Sequence, residues 1–291
     1  MNNSHALFEL EPERTSIMTP VFLLLLFFSM TAITAVSFIT GIMIFTLSAE
    51  IKIISVMSEG EAEKDVSEII EAANAGSTNL VDGDVVETST RNAALCTYYG
   101  CKWRKRGSKV YVPVYISNRF SRTERNTIIR GLVSFHSSTC IRFVWRRYAS
   151  QRDYIYFYSG SGCFSNIGRK GGHQFISLKK NGCVYHSTVQ HEVLHALGFH
   201  HEHKRSDRDR YVRINWANIK PSAKHNFQRA RTNNLWTGYD FNSVMHYSKN
   251  AFSSNGKPTI VGRNPSQTFG GARSMSRNDI LRVNRLYRCC E

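Results

Sequence analysis

Apolar and polar residues alternate with a period of two along KVYVPVYI at 109–116 and YIYFY at 154–158. That is the pattern of half-buried strands, and IRFVW at 141–145 and HQFISL at 173–178 share it. A helix is predicted after Ser121, whose spacing to Glu124 forms a capping box, with Ile128, Leu132 and Phe135 on its buried side. A second box, Ser187 with Gln190, is expected to open STVQHEVLHALG, and Gly198 supplies a left-handed stop. A third, Ser276 with Asp279, opens a terminal helix with Ile280, Val283 and Tyr287 on one side. Strands first and spaced helices after them predict a mixed α/β or α+β domain.

The first ninety residues have other patterns. From Thr15 to Ala49 no side chain is charged, and VFLLLLFF at 21–28 lies in its centre. Such a run either spans a bilayer as a signal anchor or carries a cleaved secretory signal with a working start at Met18. Either choice exports the remainder of the chain, and a membrane enters only if the apolar segment is retained. Residues 50–91 hold 3 basic and 10 acidic residues, with a short helix expected around 61–73 and a turn at VDGD, 81–84. They read as a linker or propeptide. Composition flips near TSTRNAALC at 88–96, giving three parts: 1–49, 50–91 and 92–291.

Charge sharpens that division. The overall +16 combines 4 Lys/Arg against 13 Asp/Glu in residues 1–91 with 34 against 9, a net +25, in residues 92–291. The basic residues are scattered, and no finger or glycine-aromatic RNA motif accompanies them, so no specific nucleic-acid partner is expected. An acidic substrate coat, or the acidic segment itself, fits the charge better. The 7 cysteines favour an oxidising compartment, and their spacing alone leaves the pairing open.

The chemistry concentrates in HEVLHALGFHH, 191–201. On a helix, His191 and His195 stand one turn apart and can grip one ion, with Glu192 beside them within reach of a water. Gly198 turns the chain so that His201 returns as a third ligand. Three neutral imidazoles leave one position open, as a catalytic zinc requires. A histidine-rich surface helix would meet these five fixed positions in well below roughly one in a thousand chains of this composition. A Ser/His/Asp mechanism lacks any nucleophile elbow to organise it.

HExxHxxGxxH followed by Glu202 and RSDRD at 205–209 resembles the astacin family of secreted zinc metalloendopeptidases. The resemblance spans 92–291 and includes GCFSNIGR at 162–169, GGHQFISL at 171–178, SVMHY at 243–247 and MSRNDILRVNRLYRC at 275–289. Within the family, RNAALC at 91–96 and DRDRYVRINWANI at 207–219 resemble fish hatching enzymes, the choriolysins. The resemblance implies an α+β zincin: a mixed sheet with the active-site helix in an N-terminal lobe, and a mostly irregular C-terminal lobe with a terminal helix.

It further implies one catalytic Zn²⁺ on His191, His195 and His201, Glu192 as general base, and Tyr247 as donor to the oxyanion. Met245 becomes an apolar floor in a methionine turn. VDGD resembles the FxGD propeptide motif with Val81 in place of phenylalanine, which makes Asp84 the latent-form zinc ligand. Cleavage by an activating protease between Arg91 and Asn92 would free an amino terminus whose partner is Glu202. The implied disulfides are Cys163–Cys183, Cys140–Cys289 and, from the hatching branch, Cys96–Cys101, leaving Cys290 over. Protein substrates are implied too, egg-envelope glycoproteins on the nearer likeness. General extracellular or digestive proteolysis is the second expectation, and a non-catalytic secreted zinc-containing binding protein the third.

Overall fold

The alternation in KVYVPVYI is realised residue by residue. In β4 (Lys109–Ile116), Val110, Val112, Val114 and Ile116 are buried while Tyr115 is exposed. The computed structural model describes residues 65–77, 79–86 and 100–289. The apolar segment 15–49, the Arg91–Asn92 bond, Cys96 and Cys290 lie outside the described residues.

The three other expected strands form at β5 (Ile141–Trp145), β6 (Tyr154–Tyr158) and β8 (His173–Ser177). β4 pairs parallel with both β5 and β6, and β6 pairs parallel with β8. Short β3 (Lys105–Arg106) runs antiparallel to β4, and β7 (Phe164–Ser165) antiparallel to β8. The acidic segment supplies a hairpin, β1 (Leu80–Val81) and β2 (Val85–Val86), and Val85 pairs in parallel register with Ser165 of β7. Residues 80–86 thus extend the sheet past β7, as a docked strand does.

Helix α2 (Arg122–Val133) carries the predicted capping box, Ser121 with Glu124, and buries Ile128 and Leu132. It crosses α3 (His186–Leu197) at Gly131, where a Cβ would stand 2.5 Å from Cγ1 of Val189. Glycine is needed there for the close approach. The expected box at the start of α3 is not formed: the helix begins at His186 behind Tyr185, with no side-chain cap. Gln190 is buried and its amide is already committed, Nε2 donating to Ser134 Oγ (2.7 Å) and Oε1 accepting from Met275 N (2.8 Å). A buried amide tied to two other segments cannot turn back to cap its own helix. The helix expected at 61–73 is α1 (Val66–Ala73), which starts later because Asp65 caps it through Ser67 N. Helix α4 (Arg277–Tyr287) opens with the Ser276–Asp279 box as predicted.

One apolar cluster joins the inner sheet face to Ile128 and Leu132 of α2, Val189 and Val193 of α3, Val283 of α4, and Val66 and Ile70 of α1. A second gathers Phe227, Tyr239 and Tyr247 around β9 (Val212–Ile214) and β10 (Ile260–Gly262), in a part of the chain that is otherwise turns and short 3₁₀ segments. The fold is α+β and zincin-like, with the motif helix in the sheet-bearing lobe. Disulfides Cys140–Cys289 and Cys163–Cys183 form as expected, the first tying the start of β5 to the end of α4. Cys101 is also disulfide-bonded.

Candidate active site

His191 and His195 leave the same face of α3, and Gly198 ends the helix at φ 111°, which returns the chain toward His201. All three imidazoles are buried. Nδ1 of His191 lies 2.8 Å from the carbonyl oxygen of Val244, and Nδ1 of His195 lies 2.8 Å from that of Phe199. A carbonyl only accepts, so both Nδ1 atoms carry the proton and both Nε2 atoms present lone pairs. Yet those two Nε2 atoms are 3.1 Å apart, and Nε2 of His201 is 3.2 Å from that of His191. Lone pairs so close repel unless a cation lies among them. Asp84 adds an anion: Oδ2 is 3.0 Å from His191 Nε2 and 3.2 Å from His201 Nε2, and Oδ1 is 3.4 Å from His195 Nε2. These four side chains bring one ligand atom each to within 4.8 Å of one another. Three imidazoles and a carboxylate at this spacing fit zinc.

The orientation of the first ligand is traced to α4. The Asp279 carboxylate accepts from Ser243 Oγ (2.6 Å) and Val244 N (3.0 Å), fixing the turn whose Val244 carbonyl holds His191. The sequence pattern assigns Asp279 to capping alone; its reach across 35 residues leaves no periodic signal. Met245 lies in the same turn, 2% exposed, and its carbonyl accepts from Glu202 N (2.9 Å). It belongs to the core under the ligands.

Glu192 is fully buried with neither carboxylate oxygen hydrogen-bonded. Burial, and then the negative charge of Asp84, push its pKa well above the ordinary carboxylate value. The Tyr247 hydroxyl donates to the backbone carbonyl of Asp82, while its ring lies 4.6 Å from that of His201. Burial, then the charges of Asp84 and Asp82, raise its pKa. The Glu202 carboxylate accepts a two-pronged bond from Arg282 (2.6 and 2.8 Å) and one from Asp240 N (2.6 Å).

A further contact has no sequence signal at all. Asp82 forms a buried ion pair with Lys204, 122 residues away. Upstream, Asn74 grips Cys163 through both backbone groups (2.7 and 2.6 Å) and Gly83 through its carbonyl (2.9 Å). Glu71 accepts from Phe252 N (2.8 Å) and pairs with Lys220 (3.0 Å). The acidic segment is therefore docked against the site at its helix, its turn and its strand, and among the described residues it is not a free linker. Of the other histidines, His203 Nε2 lies 3.1 Å from the Asn226 carbonyl and His246 pairs with Tyr239 (2.8 Å), so both serve packing.

A buried His₃ cluster, two of its members on an HExxH helix and the third just past it, with an adjoining glutamate and a carboxylate at the fourth position, defines a zinc-dependent peptidase of the zincin class. The sequence profile of the astacin peptidase family matches residues 100–288. High choriolytic enzyme 2 of Oryzias latipes is 47% identical over 213 residues, covering 72% of this chain and 76% of that one. Low choriolytic enzyme of the same fish is 43% identical over 240 residues, covering 80% and 87%. The solved structure of High choriolytic enzyme 1, a hatching enzyme zinc-protease of the same fish, superposes with a TM-score of 0.63 at 47% identity, over 65% of this chain and 95% of that one. The chain belongs to the astacin family: it is a zinc metalloendopeptidase with one catalytic Zn²⁺, acting on protein substrates.

Proposed function

We propose that the chain is the latent precursor of a secreted, hatching-type peptidase that digests egg-envelope glycoproteins, with residues 50–91 as inhibitory propeptide and 92–291 as catalytic domain. The observation that carries this reading is the Asp84 carboxylate standing among His191, His195 and His201, in a chain similar to enzymes named for choriolysis. Zinc, when bound, supplies a Lewis acid that polarises a carbonyl and acidifies water. The chain's residues do the rest. Glu192 takes the proton of the attacking water and hands it to the leaving nitrogen, so no acyl-enzyme is needed. Tyr247, released when the Asp82 carbonyl departs, donates its hydroxyl to the developing oxyanion. An activating protease cuts between Arg91 and Asn92, and the new amino terminus pairs with Glu202 alongside Arg282. Cys96 pairs with Cys101, and export through the secretory pathway supplies the oxidising conditions that the disulfides need.

The test pairs isolated egg envelopes with casein, each incubated with the activated protein with and without a zinc chelator. Chelator-sensitive solubilisation of the envelopes is expected. Casein digestion with untouched envelopes would leave a general extracellular protease instead.

A further inference from the structure

The outer face of the sheet is left unused by the proteolytic chemistry. β4, β5, β6 and β8 are mutually parallel, and parallel sheets are ordinarily covered on both sides. Here helices α2 and α3 pack on the inner face, where the buried alternate residues lie. On the outer face, among the described residues, aromatic rings stand uncovered, with Tyr115 46% and Phe175 41% exposed. They form a continuous track. Phe164 lies 6.5 Å from Tyr158, Tyr158 5.5 Å from Phe175, Phe175 5.8 Å from Tyr156, and Tyr156 5.3 Å from Tyr115. Tyr115, Tyr156 and Phe175 occupy one row across three strands.

Three features limit what such a surface can bind. It is a face rather than an edge, so its backbone groups are already paired and strand addition is excluded. Its rings are mostly tyrosines, which offer flat apolar faces with a polar rim and suit a wet partner better than an aliphatic one. Its charge has one sign: the outward positions of β4, β6 and β8 carry no carboxylate, and the Arg146 guanidinium sits 4.3 Å over the Tyr154 ring. The track is also continuous with the cleft. Phe164 is on β7, whose next residue, Ser165, pairs with Val85 of the docked segment. From there the rings cross the strands, at right angles to any chain lying along β7. A partner that tracks them must branch away from the cleaved backbone.

We propose that this aromatic face is an exosite for the acidic carbohydrate branches of a glycoprotein substrate. Ring faces of Tyr115, Tyr156, Tyr158 and Phe175 stack on the C–H faces of successive sugars, while Arg146 and the tyrosine hydroxyls take carboxylate and hydroxyl groups. The inference rests on the glycoprotein substrate proposed above. It gives the enzyme a hold on the polymer separate from the site that cuts it, so binding at one end raises the local concentration of peptide bonds at the other.

Among the described residues the face is open while residues 65–86 are docked, so the full chain serves for the test. It is titrated with a sialylated biantennary N-glycan, its asialo counterpart and a polyglutamate peptide, and followed by calorimetry and the NMR signals of the aromatic rings. The sialylated glycan should bind and shift the Tyr115, Tyr156 and Phe175 signals. Removing sialic acid, or making Tyr115→Ala or Phe175→Ala, should weaken binding about fivefold or more, with Phe175→Tyr retaining it. Absence of ring shifts at millimolar glycan, equal affinity in the alanine variants, or polyglutamate binding as tightly as the glycan would each overturn the proposal. Envelope digestion separates the two readings. Equal rates before and after deglycosylation would remove the exosite and leave the protease, whereas failure to digest envelope protein in either state would remove the substrate reading alone.

Discussion

Replacing Asp84 by Asn removes one formal charge from a buried point where the docked segment meets the three histidines. The carboxylate is 1% exposed and touches three imidazoles at 3.0–3.4 Å. With zinc bound, the carboxylate would be the anionic half of a buried charge pairing; breaking one costs about 3–5 kcal/mol, and asparagine keeps a neutral oxygen, so the lower end applies. At 1.4 kcal/mol per factor of ten, that raises the undocked population about a hundredfold. The measurement uses an uncleavable Arg91→Ala precursor with and without Asp84→Asn, assayed on a fluorogenic peptide and normalised to the activated enzyme and to bound zinc. Asp82→Asn in the same background is the companion, because it strands the Lys204 ammonium in a buried position without touching the ligand cluster. If the Asp84→Asn precursor were as silent as its parent while Asp82→Asn leaked, the Lys204 pair rather than the metal-facing carboxylate would be the source of latency.

Three further outcomes are expected. Glu192→Gln should keep its zinc but lose about 10²–10⁴-fold in kcat, checked by metal analysis beside peptide hydrolysis; wild-type turnover in the zinc-loaded variant would refute the general-base role. Gly162→Ala places a Cβ 2.0 Å from Asn74 Oδ1, whose amide is pinned by Cys163 and Gly83. At about 1–3 kcal/mol for such overpacking, the ratio of precursor to activated-enzyme activity should rise about five- to a hundredfold, and an unchanged ratio would count against Asn74 as an anchor. His136, whose Nε2 accepts from Phe143 N (3.1 Å), is pushed down to about 4 by burial and then by Arg142. Its folded pKa lies below the ordinary 6.5, so the unfolded chain binds the proton more readily. Its contribution to stability is therefore complete above pH 6.5, falls between 6.5 and about 4, and is flat below. Urea midpoints should drop over that window less steeply in His136→Gln than in the parent, and equal slopes would assign the acid sensitivity elsewhere.

How much of the molecule is legible in the chain depends on the range of the forces involved. Strands β4, β5, β6 and β8 are legible because burial on one face imposes a period of two, which Val110, Val112 and Val114 display without interruption. The ligands are legible because a helix converts the four-residue spacing of His191 and His195 into adjacency. The start of α3 is misleading because Ser187 and Gln190 have the residue types and spacing of a capping box, while tertiary partners, Ser134 and Met275, claim the glutamine. Hairpin β1–β2 registers only as a turn, since two-residue strands carry no period. The Asp82–Lys204 pair, the hold of Asp279 on the methionine turn and the aromatic row each join residues distant in sequence, where no local pattern can register them.

The contacts of the docked segment also bear on what activation must accomplish. None of the anchors described passes through residues 87–91: Glu71, Asn74, Asp82, Asp84 and Val85 all hold from upstream of that stretch. Cutting after Arg91 would therefore leave every one of them in place. On the proposed reading, the cut frees the amino terminus for Glu202 and, for the docked segment, changes its concentration. A tethered inhibitor acts at an effective concentration on the order of millimolar for a short connection, and a severed one only at its concentration in solution. The hydrogen bond of Tyr247 to Asp82, the pairing of Val85 with Ser165 and the carboxylate at the histidines must then be lost together, because they lie on one seven-residue hairpin whose halves support each other. On the proposed reading, latency is in this sense a property of the joined chain as well as of its individual contacts.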